Sequence, residues 1–240
     1  MRFLLFAVLL FLQTTPMYAQ SSCGTDAADQ ALRAANPEYD MLRHQADSII
    51  KQATLNAAQT SGNGSSSIIV NGIHYIPIVV HVIHSGEPIG STQNPSDLTI
   101  TNYIAMLNQA FSGTYPGYPG PGTGGQNIGI QFVLAQRAPD CSPTNGIVRR
   151  NALEWLTPDK AAIWNTFGVN QGPALPFGLP FDDIAAMSNW PNLDYYNIYM
   201  VKKITGSNFA YYPTGTATIY DATVLSMLAV TGTSVSPYVI

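Results

Sequence analysis

Apolar residues run without alternation through Ile76, Ile78, Val79, Val80, Val82 and Ile83. β-Branched side chains are stiff at χ1 and pack well on a pleated surface, so the run predicts a strand over Tyr75–His84. Apolar positions on both parities require cover on both faces, which suits an inner strand of a sheet flanked by helices. Pro77 has no N–H to give to a ladder and is expected at the start of that strand, not in its middle.

The remaining elements follow from the same kind of pattern. Ile100, Ile104, Leu107 and Phe111 are spaced by four, three and four, one face of a helix from about Ser96 or Asp97 to Phe111. Ile128–Ala135 predicts a second strand, Pro139–Gly146 a turn cluster followed by Ile147–Arg150, and Tyr195–Val201 a third strand with apolar residues on both parities. Pro158–Asn165 predicts a short helix, with Thr157 as its cap and Pro158 at the first helical position. Gly168–Pro191 reads as irregular, with a turn at Asp182–Met187. Ala210–Tyr212 and Thr223–Leu228 complete the set as a fourth and fifth strand. Between Phe111 and Asn127 lies a Gly/Pro/Tyr run too rich in breakers for a regular element. Strands alternating with helices predict an α/β fold: a mixed, twisted sheet with packed helices.

Ahead of the central strand the pattern changes. Arg2, an apolar run from Phe3 to Leu12 and a polar stretch to Ala19 predict a cleaved signal peptide over residues 1–19, and hence a secreted, extracellular protein. At about ten residues the apolar run is well short of the roughly 20 that span a bilayer. No other segment is a transmembrane candidate, so no membrane span is expected. Asp26–Ala35 and Pro37–Ala58 read as two Ala-rich helices, separated at Pro37 and with Asn36 placed to cap the second. Thr60–Ser67 is a Gly/Ser linker, open to proteolysis. The chain therefore divides into residues 1–19, a segment and linker over 20–67, and a folding domain over 68–240.

Composition narrows the partners. The formal net charge is −4 with no basic cluster, which argues against nucleic acid. Charged residues are only 10% of the chain while 46% are hydrophobic, too apolar for a disordered protein. Cys23 and Cys141 are the only cysteines, and in an exported chain one disulfide between them is the simplest reading. His81 and His84 form H-x-x-H, but three-residue spacing on a strand points the rings to opposite faces, so they do not chelate one metal. Asp182 and Asp183 admit calcium or plain solvation. There is no G-x-S-x-G, P-loop or H-E-x-x-H.

Taken in order, Ile76–Ile83, Ile104-Ala-Met-Leu-Asn108 with Phe111, and Ile130–Ala135 are joined by Asn145-Gly-Ile147 with Arg149. Tyr196-Asn-Ile-Tyr199 after Trp190 and Phe209-Ala-Tyr-Tyr-Pro213 follow. Over about 150 residues the sequence resembles the front half of a secreted pappalysin-like zinc metallopeptidase, a metzincin. Asp221–Leu225 would correspond to the last strand before the active-site helix. The resemblance implies the upper subdomain of a zincin-like metallopeptidase and a protein or peptide substrate lying along a sheet edge at Ala210, Tyr211 and Tyr212. It also implies zinc held by an H-E-x-x-H-x-x-G-x-x-H element that this sequence does not contain, so the chain as it stands is expected to be inactive.

In such zymogens a Cys-Gly-Thr segment opens the chain, and Cys23-Gly-Thr25 resembles it. The resemblance offers Cys23 as a thiolate that occupies the metal's open position, an alternative to the disulfide with Cys141. Two functions follow: the N-terminal portion of a secreted zinc endopeptidase, or a non-catalytic secreted binding module on the same fold. Absence of the active-site helix is also expected to leave Val224, Leu225, Met227 and Leu228 with an uncovered apolar face.

Overall fold

The structure, a computed structural model, describes residues 24–57, 68–116, 126–172 and 177–231. Residues 1–19, expected as a signal peptide, together with Cys23, residues 60–67 and most of the Gly/Pro/Tyr run lie outside the described residues.

The predicted central strand is β2 (Ile73–His84). It pairs antiparallel with β1 (Ile68–Val70) and parallel with β3 (Ile130–Leu134), β4 (Ile147–Asn151) and β6 (Tyr196–Val201). Ile78 faces Leu134 on one side and Tyr196 on the other, so β3 and β6 lie on opposite edges of β2; Val80, between Ile147 and Ile198, places β4 with β3. Beyond β6 come β9 (Ala222–Ser226), parallel, and β8 (Phe209–Ala210), antiparallel at the far edge. A separate two-stranded pair joins β5 (Val169–Asn170) to β7 (Ile204–Thr205).

Pro77 sits within β2, opposite Val133, rather than at its start. The position tolerates it for a local reason. The amides of His74 and Val80 donate toward the β3/β4 edge, to Gly129 and Gly146. Residue 77 is of the other parity, and its missing N–H falls where β1 has ended and β6 has not begun.

Both faces of β2 are covered, as the double-parity pattern requires. Ile78, Val80 and Val82 pack on α3 (Asp97–Phe111) through Ile100, Tyr103, Ile104 and Leu107. Ser96 caps that helix by accepting from the Thr99 amide. The opposite face packs Ile83 with Trp164 of α4 (Pro158–Phe167) and with Phe181, Ile184 and Ala185 of α5 (Phe181–Ser188). Helix α5 replaces the irregular stretch and turn expected there. Its eight residues hold too few turns for a period to show, and Pro180 in front of it reads as a breaker.

Two of the apolar residues expected to be uncovered pack instead on α3: Leu225 and Met227 share its cluster with Tyr103 and Leu107. Val224 is covered from the other face by the N-terminal helices α1 (Thr25–Ala35) and α2 (Pro37–Ala57) together with Phe181. Leu228, at the start of α6 (Leu228–Thr231), is the exception and stays exposed. The expectation failed because it gave β9 one source of cover when the chain supplies two.

Candidate functional site: the β8 edge and its cover

Strand β8 is only two residues long, and its inner side is used by β9: the Tyr211 amide donates to the Ala222 carbonyl. Alternation then leaves the Asn208 carbonyl and the Ala210 amide facing outward. Both are taken by the N-terminal segment. The Gly24 amide donates to Asn208 O at 3.2 Å, and the Ala210 amide donates to Thr25 Oγ1 at 3.1 Å. An outward-facing strand edge of this kind offers the donors and acceptors an extended peptide needs.

The sheet-edge expectation for Ala210, Tyr211 and Tyr212 is therefore redistributed. Ala210 offers its N–H to the edge. Tyr211 does not: its amide points inward and its ring is buried among Tyr39, Phe181, Phe209 and Tyr220. Burial raises its phenol well above the ordinary value. Tyr212 is on the surface, with its hydroxyl donating to Asp26 and Arg43 over its ring at 4.9 Å.

Polar side chains hold the N-terminal pair down. Asn36 ends α1 and caps α2, accepting from the Tyr39 amide. Tyr39 reaches in from α2 to donate to Asp29 at 2.7 Å. Arg43, buried, donates to the Pro213 carbonyl at 2.9 Å and lies 3.6 Å from Asp29. Arg33 bridges α1 to α2 through Asp40, whose carboxyl is lowered by that hydrogen bond. This network was not foreseen, because its members are polar residues scattered over two helices with no local pattern linking them.

His81 is fully buried on β2 with both ring nitrogens engaged, Nδ1 with Ser188 Oγ and Nε2 with Asn197 Oδ1, each at 2.8 Å. Asn197 Oδ1 also accepts from the Trp190 amide, so it is the acceptor for an Nε2–H. Tyr199 stacks on the ring at 4.6 Å, and burial pushes its pKa down to about 4. His84 accepts from the Gly86 amide. Asp182 accepts from Tyr220, and Asp183 pairs with Lys160, at the N-terminus of α5. Among the described residues no three His, Cys, Asp or Glu side chains form a group that could hold a metal ion. The donors there do not make a zinc site, and the two carboxylates that admitted calcium are engaged by Tyr220 and Lys160.

Cys141 is a free, exposed thiol in the turn after β3. Cys23 lies outside the described residues, and the Cys23–Cys141 disulfide lies outside them with it. No helix among the described residues is long and apolar enough to cross a membrane.

No family model and no curated protein matches the chain. Among solved structures, a mutant of promirolysin from Tannerella forsythia, the pro-form of a metallopeptidase, is 24% identical, with a TM-score of 0.52 over 85% of this chain and 59% of that one. Mature mirolysin from the same organism, solved with a cleaved peptide, is 24% identical over 68% of this chain and 54% of that one, with a TM-score of 0.46. The chain thus spans little more than half the length of these neighbours. What the likeness to promirolysin establishes is the fold: a twisted mixed α/β sheet with packed helices, as in a metallopeptidase.

Proposed function

We propose that the chain is the N-terminal portion of a secreted zinc-dependent endopeptidase of the pappalysin-like kind, held latent by residues 20–67. One observation carries the reading: the outward edge of β8, where a peptide substrate would add as a strand, is occupied by Gly24 and Thr25 of the chain's own N-terminal segment. A segment on that edge and a substrate on that edge exclude each other.

The resemblance in extent supports this. Coverage of 85% of 240 residues exceeds everything from Ile68 to Ile240, so the likeness to promirolysin extends into the helices before the linker. Within the described residues the chain contributes the sheet, its β8 edge and the cover. It does not contribute the metal ligands, so no hydrolytic step is assigned to them. Cys23, next in sequence to the anchored Gly24, is the thiolate this reading assigns to the metal of the longer protein.

The test begins with the reading frame beyond Ile240, where H-E-x-x-H is expected. The longer protein, loaded with zinc, should be inactive until cleaved within Thr60–Ser67 and should then hydrolyse peptides. Cys23→Ala should give a precursor active before cleavage. Peptide binding without hydrolysis after cleavage would replace the enzyme with a binding module. A stop codon directly after Ile240 together with no peptide binding would overturn both readings.

A further inference from the structure

Gly24 is held through both its amide and its carbonyl, and only one of the two bonds comes from the strand edge. Its amide donates to Asn208 O, while its carbonyl accepts from Gln171 Nε2 at 2.7 Å. Gln171 follows β5, and its own amide donates to the Thr205 carbonyl at the end of β7. Its side-chain oxygen accepts from the Ser207 amide at 3.1 Å. That second bond fixes which end of the carboxamide is the donor, because Ser207 N–H can meet only the oxygen.

Space around this carboxamide is cleared by glycine on both sides. A Cβ on Gly24 would lie 2.0 Å from Gln171 Nε2, and one on Gly206 would lie 2.2 Å from Gln171 Oε1. Gly206 has φ +116, so a side chain there is strained as well as blocked. Two glycines, one from the N-terminal segment and one from the domain, therefore close on a single glutamine.

We infer that Gln171, with Asn208 O, forms a residue-selective backbone-binding subsite on the domain that accepts glycine, and that it is the latch by which Gly24 registers the N-terminal segment on β8. The ligand class is one glycine residue within a peptide: its N–H for Asn208 O, its C=O for Gln171 Nε2. Gln171 is here a positioning residue; it acts on the segment and not on a reacting bond. The inference rests on the reading of residues 20–67 as a segment that is released, but its geometry does not depend on any activity.

The full chain tests it by amide hydrogen exchange and by trypsin cleavage after Arg33 in α1. Gln171→Glu keeps an oxygen for Ser207 and puts a second acceptor against the Gly24 carbonyl. It should speed exchange of the Gly24 amide and cleavage after Arg33 by about tenfold, the order expected for one lost hydrogen bond, while Ser207 stays protected. Gln171→Ala should release both Gly24 and Ser207. Gly24→Ala should match Gln171→Glu, and the double variant should add little to either single one, since both break the same contact. A purely structural glutamine would lose Ser207 protection in Gln171→Ala and leave Gly24 unmoved, and that result overturns the latch. So does a Gly24→Ala chain as protected as the wild type. Failure of the longer protein to become an active peptidase would sink the proposed function and leave these exchange results standing.

Discussion

In β2 every side chain from Ile78 to Ile83 is buried, and His81 is the one polar residue among them. Under α1 and α2 the contacts are different in kind: Tyr39 and Leu32 reach the core, but polar bonds from Thr25, Asp26, Arg43 and Gln171 carry the join. Burial of a large apolar side chain contributes about 1.5–3 kcal/mol and cannot be undone locally without exposing it. Hydrogen bonds and ion pairs exchange for bonds to water and contribute about 1 kcal/mol each, so a seat built from them can open while the sheet stays closed. The centre of this molecule is held by apolar burial, and the N-terminal cover by bonds that can open one at a time, as the proposed release requires.

The largest expected effect tests the permanent side. Ile78→Ala, at a position wholly buried between α3 and the sheet, should destabilise the chain by about 2–5 kcal/mol. Urea unfolding should show one shifted transition in which sheet and N-terminal helices are lost together. A variant that released the helices while keeping its midpoint would break the comparison.

Next in size is the seat itself. Arg43→Ala removes the bond to the Pro213 carbonyl, the stacking over Tyr212 and a buried partner of Asp29. Charge-assisted bonds contribute about 1.5–3 kcal/mol, and the loss should appear as faster exchange in α1 and α2 with β2 and β6 unchanged. Equal acceleration in β2 would mean that cover and core form one cooperative unit.

Acid separates the regions in the opposite sense. The pKa of His81 is depressed when folded, to about 4 from an ordinary value near 6.5. Its contribution is complete above the unfolded value and is lost as pH falls toward 4, because the unfolded chain takes up the proton first. The amount is on the order of 1–3 kcal/mol. Asp40, lowered by Arg33, keeps its charge through the same window. Between pH 6.5 and 4 the sheet should weaken while the Arg33–Asp40 bridge holds, and His81→Asn should flatten that part of the stability profile.

What could be read in advance divides along the same line. The apolar run of β2 and the 4-3-4 spacing of α3 are local patterns with a direct packing consequence, and both elements stand where their residues predicted. Helices α1 and α2 were legible too, through Pro37 and the capping Asn36. Their seat was not, because it depends on pairs such as Gln171 with Gly24, far apart in sequence and chemically unremarkable alone. Tyr211 shows the limit within one strand. Alternation was visible in the sequence, but which parity faces the edge is set by where β9 pairs.

The smallest effect compares one kind of interaction placed in both regions. Ser96 and Asn36 each cap a helix by accepting from the amide three residues on, Ser96 for α3 and Asn36 for α2. Replacing either with alanine should remove about 1 kcal/mol. The loss at Ser96 falls on a helix whose face is the core, so Ser96→Ala should lower the global unfolding midpoint. The loss at Asn36 falls on the hinge between two helices seated by polar contacts. Asn36→Ala should therefore leave the midpoint nearly unchanged and raise exchange and trypsin cleavage after Arg33 by roughly fivefold, the factor that about 1 kcal/mol sets when only local opening is affected. If the two variants shifted the midpoint equally, the cover would be part of the cooperative core, and a segment built for release would no longer describe it.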